Sequence, residues 1–522
     1  MKRICPERSR RTIIIERSRN IFFILCMQEQ HFVYILKCSD DAYYIGLTTD
    51  LIRDFNLHNE GLFEFTNLRT PVAMMYYEVI PTLQDALKRQ QQLKGWSRAK
   101  KKALIEQNFH KLQLLSQCQN MSHSKYKDFD SAQSLPSPQS ASVTKSPSAP
   151  LRVGILGGGQ LGRMLLQAAA NYVVETFVLE NDENAPAAHL CHHFTKGDIK
   201  DFDTVYNFGK GLDALTIEIE AVNVEALEKL EREGVKVYPK PAAIKIIKNK
   251  IRQKEFYKAN QIPSPEFIIT QNIDEVKSNS NFLPAVHKIG EGGYDGKGVQ
   301  VLRNESVIDK AFNAPAVLEK MVNIQKEIAV IVAMNDKKET AVYPAAEMIF
   351  DPELNLLDYQ ISPAELSTTI LEETKRIALQ LVKSFDSAGL FAIEMFVDDD
   401  NNVLVNETAP RVHNSGHHTI EANYCSQYDM LWRIMLGYPL GNTSAILPSS
   451  IVNVLGEDGY SGPAKYEGLD EVLSMNNAFV HLYGKTQTKP GRKMGHVTVM
   501  SADKNDLLEK VQHIKSSLKV IS

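Results

Sequence analysis

Cysteine is scarce: six residues in a chain of 522, with no two in a Cys-x-x-Cys pair. That spacing excludes a disulfide framework and a zinc site of the usual kind, and points to reduced thiols in a cytoplasmic setting. Long apolar runs are also missing. None reaches the roughly 20 residues that cross a bilayer, so no membrane partner is expected. The first 20 residues are basic, and Ile21-Phe-Phe-Ile-Leu-Cys-Met27 is apolar but short, with no small-residue cleavage site. A secretory signal is therefore not expected, and Met27 is a second possible start. Net charge is only −4, which says little about partners. Its distribution says more: residues 1–118 hold 18 Lys and Arg against 12 Asp and Glu, and the remainder holds 41 against 51. The chain is too long for one core, so two or more domains of different character are expected.

Residues 1–30 are expected to be a disordered extension. From there Phe32-Val-Tyr-Ile-Leu-Lys37 and Ala42-Tyr-Tyr-Ile-Gly46 read as a hairpin, and residues 51–59 and 82–93 as helices. This front domain is placed at residues 31–118. Residues 119–150 are rich in Ser, Pro, Gln and Lys and form a linker, because nothing in them can bury a core.

Arg152-Val-Gly-Ile-Leu156 then reads as a strand entering Gly157-Gly-Gly-Gln-Leu-Gly162 and a helix, with Glu180 ending the next strand. The pattern fits a dinucleotide fold, although its physics licenses only a backbone loop near an anion at a helix N-terminus. Leu215-Thr-Ile-Glu-Ile-Glu220 reads as a later strand with two carboxylates on one face. Residues 242–260 read as one helix carrying Lys245, Lys248, Lys250, Lys254 and Lys258, a pattern that usually marks a solvated face.

Pro284-Ala-Val-His-Lys288 is a strand leading into Gly290-Glu-Gly-Gly-Tyr-Asp-Gly-Lys-Gly298. A strand follows rather than a helix, so this is not a P-loop. Such a glycine loop can still fold its N–H groups over phosphates, with Lys288 as a point charge beside them. Glu319 sits in an apolar strand, and Glu327 follows. Glu394 lies in Leu390-Phe-Ala-Ile-Glu-Met-Phe-Val397, and residues 398–402 read as a turn into Val403-Leu-Val-Asn-Glu407. A hairpin would set Glu394 close to Glu407. Two carboxylates with Asn406 suit Mg²⁺, a hard cation that takes oxygen ligands and shares its shell with phosphates. Arg411, His413, Asn414 and His417 follow in one loop. Near the C-terminus Lys489, Arg492, Lys493 and His496 crowd one turn, a cradle for a phosphate monoester.

Two resemblances rest on these motifs. Residues 31–107 resemble the small GIY-YIG endonuclease-like family through Val33-Tyr34-Ile35, Tyr44-Ile45-Gly46 and Gln92-Leu-Lys-Gly-Trp-Ser-Arg98. The likeness implies a small α+β fold with Tyr34, Tyr44 and Gly46 as its signature. The family cuts phosphodiesters with an Arg on the first helix and a metal-binding Glu on a later one. Here those positions hold Asp54 and Gln90. The implied role is nucleic-acid binding at most, without catalysis.

Residues 152–522 resemble the ATP-grasp enzymes, and among them the N5-carboxyaminoimidazole ribonucleotide synthases, through residues 157–164, 292–298, 406–417 and 490–496. The implied class is α/β: a Rossmann-like pre-ATP-grasp domain (151–241), an ATP-grasp α+β domain (242–440) and a small β-rich domain (441–522). The likeness implies that Lys288 and Gly293, Tyr294, Asp295, Gly296, Lys297 and Gly298 hold the ATP phosphates, with Lys250 nearby. Glu319, Lys320, Met321 and Val322 would line the adenine, and Glu327 the ribose. Glu394 and Glu407 would bind Mg²⁺, with Mn²⁺ as a substitute, and Asn406 beside them. Lys288, Arg411, Tyr294 and Asp295 would carry the chemistry. Gln160, Leu161, Glu220, His413, Asn414, Lys485, Arg492 and Lys493 would surround the substrate.

The implied reaction is ATP-dependent phosphorylation of bicarbonate to carboxyphosphate, then carboxylation of 5-aminoimidazole ribonucleotide in purine biosynthesis by a cytoplasmic homodimer. Two departures from relatives stand out, bulky Phe350 and acidic Glu291. Three other readings stay open at this point: another ATP-grasp carboxylate–amine ligase, a dinucleotide-dependent oxidoreductase from the glycine motif and Glu180, and a nucleic-acid-processing protein from the front domain.

Overall fold

The computed structural model describes residues 31–105 and 150–522, apart from residues 64, 68, 81, 294–297 and 351–356. The expectations for residues 1–30, for nearly all of the linker, and for Tyr294, Asp295, Gly296 and Lys297 lie outside the described residues. The chain divides into two compact units, residues 1–141 and 142–522. No described helix is long and apolar enough to cross a membrane.

In the first unit, His31–Lys37 is the central strand of a three-stranded antiparallel sheet, between Tyr43–Thr48 and Ala73–Ile80. Alternation along it sends Val33 and Ile35 into a core with Ala86, Leu93 and Leu104. Tyr34 and Leu36 point the other way and pack with Leu51 and Phe55 of the helix Leu51–Asn59. That helix begins where Asp50 accepts from the Arg53 N–H, and Leu83–Lys94 begins where Thr82 accepts from the Asp85 N–H. Gly46 has to be glycine because a Cβ there would lie 2.0 Å from the Tyr34 ring.

The second unit opens with a five-stranded parallel sheet in the order His193–Lys196, Val174–Glu180, Leu151–Leu156, Ala214–Ile217, Lys236–Tyr238. The chain leaves Leu151–Leu156 on both sides, so a switch point opens at its C-terminal end, where Gly157 follows. The strand expected over residues 215–220 stops at Ile217, opposite Leu156. Glu218 then turns away from the ladder to meet the start of the helix Gln160–Ala169, and Glu220 faces a different partner.

A four-stranded antiparallel sheet follows, ordered Val299–Leu302, Ala285–Ile289, Ala316–Lys320, Phe267–Thr270. A larger antiparallel sheet runs Val403–Ala409, Gly389–Asp398, Ile324–Met334, Ala346–Phe350, Leu357–Ser362, Ser449–Leu455, Lys493–Met500, Ala478–Leu482. Its pairing of Leu357–Ser362 with Ser449–Leu455 carries one continuous sheet into the C-terminal part. One face of this sheet packs Ile328, Val330, Phe391 and Ile393 under the helix Thr368–Phe385. The opposite face packs Ile331, Ala333, Leu390 and Ala392 against the helix Gln427–Met435.

The single helix expected over residues 242–260 is two helices, Pro241–Ile247 and Lys250–Ala259. Asn249 interrupts it, because its side chain accepts from the Arg252 N–H and starts a new helix. The lysines do not form one solvated face either, since Lys254 is only 2% exposed.

Trp432 joins the parallel-sheet part to the rest of this unit. It is fully buried, and its indole N–H donates to the Leu165 carbonyl at 2.7 Å. Trp432→Ala is expected to cost about 3–5 kcal/mol. Trp432→Phe keeps most of the volume and is expected to cost about 1–2 kcal/mol. Urea denaturation followed by circular dichroism separates the two, and equal losses would show that ring volume is not what matters.

Candidate active site

Glu407 lies directly opposite Glu394 in the antiparallel ladder, as a hairpin requires. The register shifts beside that pair: Val405 faces Met395 and Glu407 faces Glu394, leaving Asn406 as an extra residue. A bulge of this kind re-aims side chains that strict alternation would send to opposite faces. Asn406 Oδ1 accepts from Lys288 Nζ at 2.7 Å, and the Glu407 carboxylate forms an ion pair with Lys250.

Lys288 comes from the strand Ala285–Ile289 and also donates to Glu319 Oε2 at 3.0 Å. Lys254 Nζ stands 3.3 Å from the same oxygen. Burial works to raise the Glu319 carboxyl, but Lys288 and Lys254 outweigh it and hold it below the usual range. Burial lowers Lys250 to about 8, helped by Lys288. Burial also lowers Lys254 to about 8, against the pull of Glu319. The Glu319 carboxylate, expected beside adenine, is thus taken up by two lysines.

Glu394 is raised by burial, against the effect of Lys250, Lys288 and Arg411. Glu327 is raised to about 7 by burial and then by Glu394. Its strand pairs Ala329 with Glu394 and Glu327 with Phe396, so Glu327 is the diagonal neighbour of Glu394. These two partly buried carboxylates lie side by side. Their donors are all oxygen, which fits Mg²⁺ or Mn²⁺. No closed group of three or more metal-ligating side chains exists among the described residues, so a cation here would complete its shell with phosphate oxygens. The described ends of the glycine loop approach each other closely: a Cβ on Gly298 would lie 2.8 Å from the Gly293 Cα.

The neighbouring loop carries the groups expected around the substrate. Arg411 Nε stands 2.8 Å from Glu220 Oε1, joining this loop to the parallel-sheet part. His413 sits 3.7 Å from Glu394 and shares a hydrogen bond with Ser415 Oγ at 2.9 Å. Burial, then Arg411 and Lys493, lower it to about 3, so it is a neutral imidazole. Gln427 clamps its backbone, accepting from the His413 N–H at 2.8 Å and donating to its carbonyl at 2.7 Å. Asn414 begins the short turn Asn414–Gly416. Lys485 donates to Gln160 Oε1 at 3.2 Å and to the Lys493 carbonyl at 2.7 Å, so these three expected residues meet. Arg492 instead closes its own turn by donating to the Gln487 carbonyl at 2.8 Å.

His496 does not belong to that turn. It is fully buried and stacks between His417 and His481, with ring centroids 4.5 Å apart on both sides. Tyr428 bonds His417 at 2.7 Å, Tyr483 bonds His496 at 3.0 Å, and His481 meets Glu421 at 2.7 Å. No local signal shows this stack. Strand pairing alone sets His481 opposite His496.

The glycine-rich helix start already holds an anion. The Gly159 and Leu161 N–H groups donate to Glu218 at 3.0 and 3.1 Å, and the Gly158 N–H donates to Glu180 Oε2 at 2.9 Å. The protein's own carboxylates thus occupy the place of a pyrophosphate, which removes the oxidoreductase reading. The N–H of Leu161, a residue expected near the substrate, donates to Glu218 in this structure.

In the first unit, the Tyr34 hydroxyl donates to Asp54 at 3.3 Å and shares a hydrogen bond with His58 at 3.1 Å. Tyr44 packs its ring edge-on against His58. Gln90 donates to the Ile45 carbonyl at 3.4 Å.

Comparison with known proteins agrees with this geometry. Residues 151–248 match the ribonucleotide synthetase preATP-grasp domain, 255–428 the ATP-grasp domain, 449–510 the phosphoribosylaminoimidazole carboxylase C-terminal domain, and 30–103 the GIY-YIG catalytic domain. The N5-carboxyaminoimidazole ribonucleotide synthase of Aquifex aeolicus is 36% identical over 376 residues, which cover 71% of this chain and 97% of that protein. The chloroplastic phosphoribosylaminoimidazole carboxylase of Vigna aconitifolia is 36% identical over 359 residues, and the chain spans 64% of its length. The crystal structure of N5-carboxyaminoimidazole synthase from Aspergillus clavatus, in complex with ADP and 5-aminoimidazole ribonucleotide, matches with a TM-score of 0.64 at 31% identity. That match covers 70% of this chain and 98% of that one. From residue 151 onward the chain therefore belongs to the N5-carboxyaminoimidazole ribonucleotide synthase family of ATP-grasp ligases, and it carries a GIY-YIG domain in front.

Proposed function

We propose that residues 151–522 carboxylate 5-aminoimidazole ribonucleotide to N5-carboxyaminoimidazole ribonucleotide in purine biosynthesis, using ATP and bicarbonate. One observation carries this reading: Glu394 and Glu407 oppose each other beside the bulge that also aims Asn406 at Lys288. A bicarbonate oxygen attacks the γ-phosphorus, the bond to the bridging oxygen of ADP breaks, and carboxyphosphate forms. The substrate amine then attacks the carboxyl carbon, the carbon–oxygen bond to phosphate breaks, and the departing phosphate takes the amine proton. Lys288 and Lys250, which stand beside Asn406 and Glu407, would offset charge on the transferring phosphoryl group. A Mg²⁺ ion held by Glu394 and Glu407 would supply further charge neutralisation there. Arg411 offers a planar donor set to the carboxyl oxygens. Gln160, Lys485 and Lys493, which meet one another, would face the ribonucleotide. The test is ADP release by the full chain with 5-aminoimidazole ribonucleotide, together with transfer of label from isotopic bicarbonate. ADP release without label transfer would leave another carboxylate–amine ligation as the better reading.

The front domain is proposed to bind nucleic acid at most. A phosphodiester cut needs a carboxylate for the metal and a cation beside the phosphate. Here the Tyr34 hydroxyl meets the Asp54 carboxylate, and Gln90 brings a neutral amide. Each such loss costs roughly 10²–10³ in rate. The full chain is expected to show no Mg²⁺- or Mn²⁺-dependent nicking of supercoiled DNA, and Asp54→Arg with Gln90→Glu to restore some. Nicking by the unmodified chain that Tyr34→Phe stops would overturn this.

A further inference from the structure

Lys254 has no part in the chemistry above, yet its side chain is 2% exposed and Glu319 beside it is 3% exposed. It lies on the helix Lys250–Ala259 with Gln253 and Tyr257, one turn beyond Lys250. Its ammonium stands 3.3 Å from Glu319 Oε2, the oxygen that also takes Lys288 at 3.0 Å. Glu319 Oε1 has no hydrogen-bond partner among the described residues. Lys250 cannot share this task, because its own partner is Glu407.

Two buried cations on one carboxylate are one more than pairing requires. Burying a second ammonium is costly, so the arrangement asks for a reason. Lys288 supplies it. In this structure Lys288 is bound to Glu319 and Asn406. One N–H of its ammonium is left for nucleotide phosphates, and an ammonium drawn toward them gives up part of its hold on Glu319. A buried carboxylate deserted in this way would be strongly unfavourable, and that penalty would be subtracted from ATP affinity. Lys254, 3.3 Å from Glu319 Oε2, is the cation left to cover that charge.

We propose that Lys254 is a positioning residue that keeps Glu319 neutralised while Lys288 turns to the ATP phosphates, and that it thereby sets ATP affinity. The proposal rests on the assignment of Lys288 to those phosphates. It predicts an effect on nucleotide binding without an effect on the ligand-free fold, because Lys288 alone suffices to pair Glu319 before ATP arrives.

The experiment is equilibrium titration of the full chain with Mg-ATP, beside a thermal melt. K254M is expected to weaken ATP binding roughly 100-fold or more while the melting temperature is kept or raised. K254R keeps the charge and is expected to stay within about tenfold of the parent. Adding E319Q to K254M removes the deserted carboxylate and is expected to recover most of the lost affinity, which a merely structural lysine would not allow. The double variant buries neither charge and is the folded reference. ATP binding by K254M within about threefold of the parent would overturn the proposal, as would a double variant no better than K254M. A K254M that fails to fold while the double variant folds would also overturn it, because pairing by Lys288 would then be insufficient. K288M separates the two assignments. If K288M binds ATP normally, the phosphate assignment itself is wrong. If only K288M loses binding, the role given to Lys254 is wrong.

Discussion

Glu407→Gln is expected to abolish turnover while the protein still folds. The amide keeps the side-chain volume at a partly exposed position, so the hairpin with Gly389–Asp398 has no packing reason to fail. What changes is charge. Glu407 supplies one of two opposed carboxylates, and an amide oxygen is a much weaker partner for a divalent cation. Lys250 loses its counter-ion at the same time. Loss of a single electrostatic contributor costs roughly 10²–10³ in rate, and here two contacts change together. The fall should be in kcat more than in KM for ATP, because phosphoryl charge is greatest in the transition state. ADP release measured beside a thermal melt checks this. Near-parental turnover would remove Glu407 from the metal site.

Arg411→Met is expected to lower kcat/KM for bicarbonate and 5-aminoimidazole ribonucleotide by roughly 10²–10³, with KM for ATP little changed. The guanidinium stands 2.8 Å from Glu220, across the junction between the loop and the parallel-sheet part. Met removes the planar donors and leaves Glu220 without that cation. Arg411→Lys is not expected to rescue, because an ammonium presents one compact charge where a fork is needed. Steady-state rates with each substrate varied in turn decide the matter. A loss confined to ATP would move Arg411 out of the carboxylation step.

Part of this site could be read without coordinates because it is contiguous. Glu394 and Glu407 lie on either side of one short turn, so the hairpin that opposes them is a local event. Lys288 and the glycines after it are likewise one strand and its loop. The same holds in the first unit, where Tyr34 and Tyr44 are diagonal neighbours across a hairpin.

What local pattern could not show is which partner each charge finds. Lys254 looked like one of several surface lysines, because a helix exposes most of its circumference until something packs on it. The strand Ala316–Lys320 covers that face and buries the ammonium against Glu319. Glu218 looked like a strand residue. Only the end of the ladder at Ile217 frees it to cap the glycine-rich helix. His417, His481 and His496 form a stack from three distant segments, brought together by the large sheet and the loop beside it. Read alone, the sequence showed part of the strand pattern, the hairpin carboxylates and the family. The tertiary structure decided the pairing of the buried charges, because the free energy of a buried charge depends on what stands within a few ångströms of it, and those neighbours are set by folding rather than by sequence order.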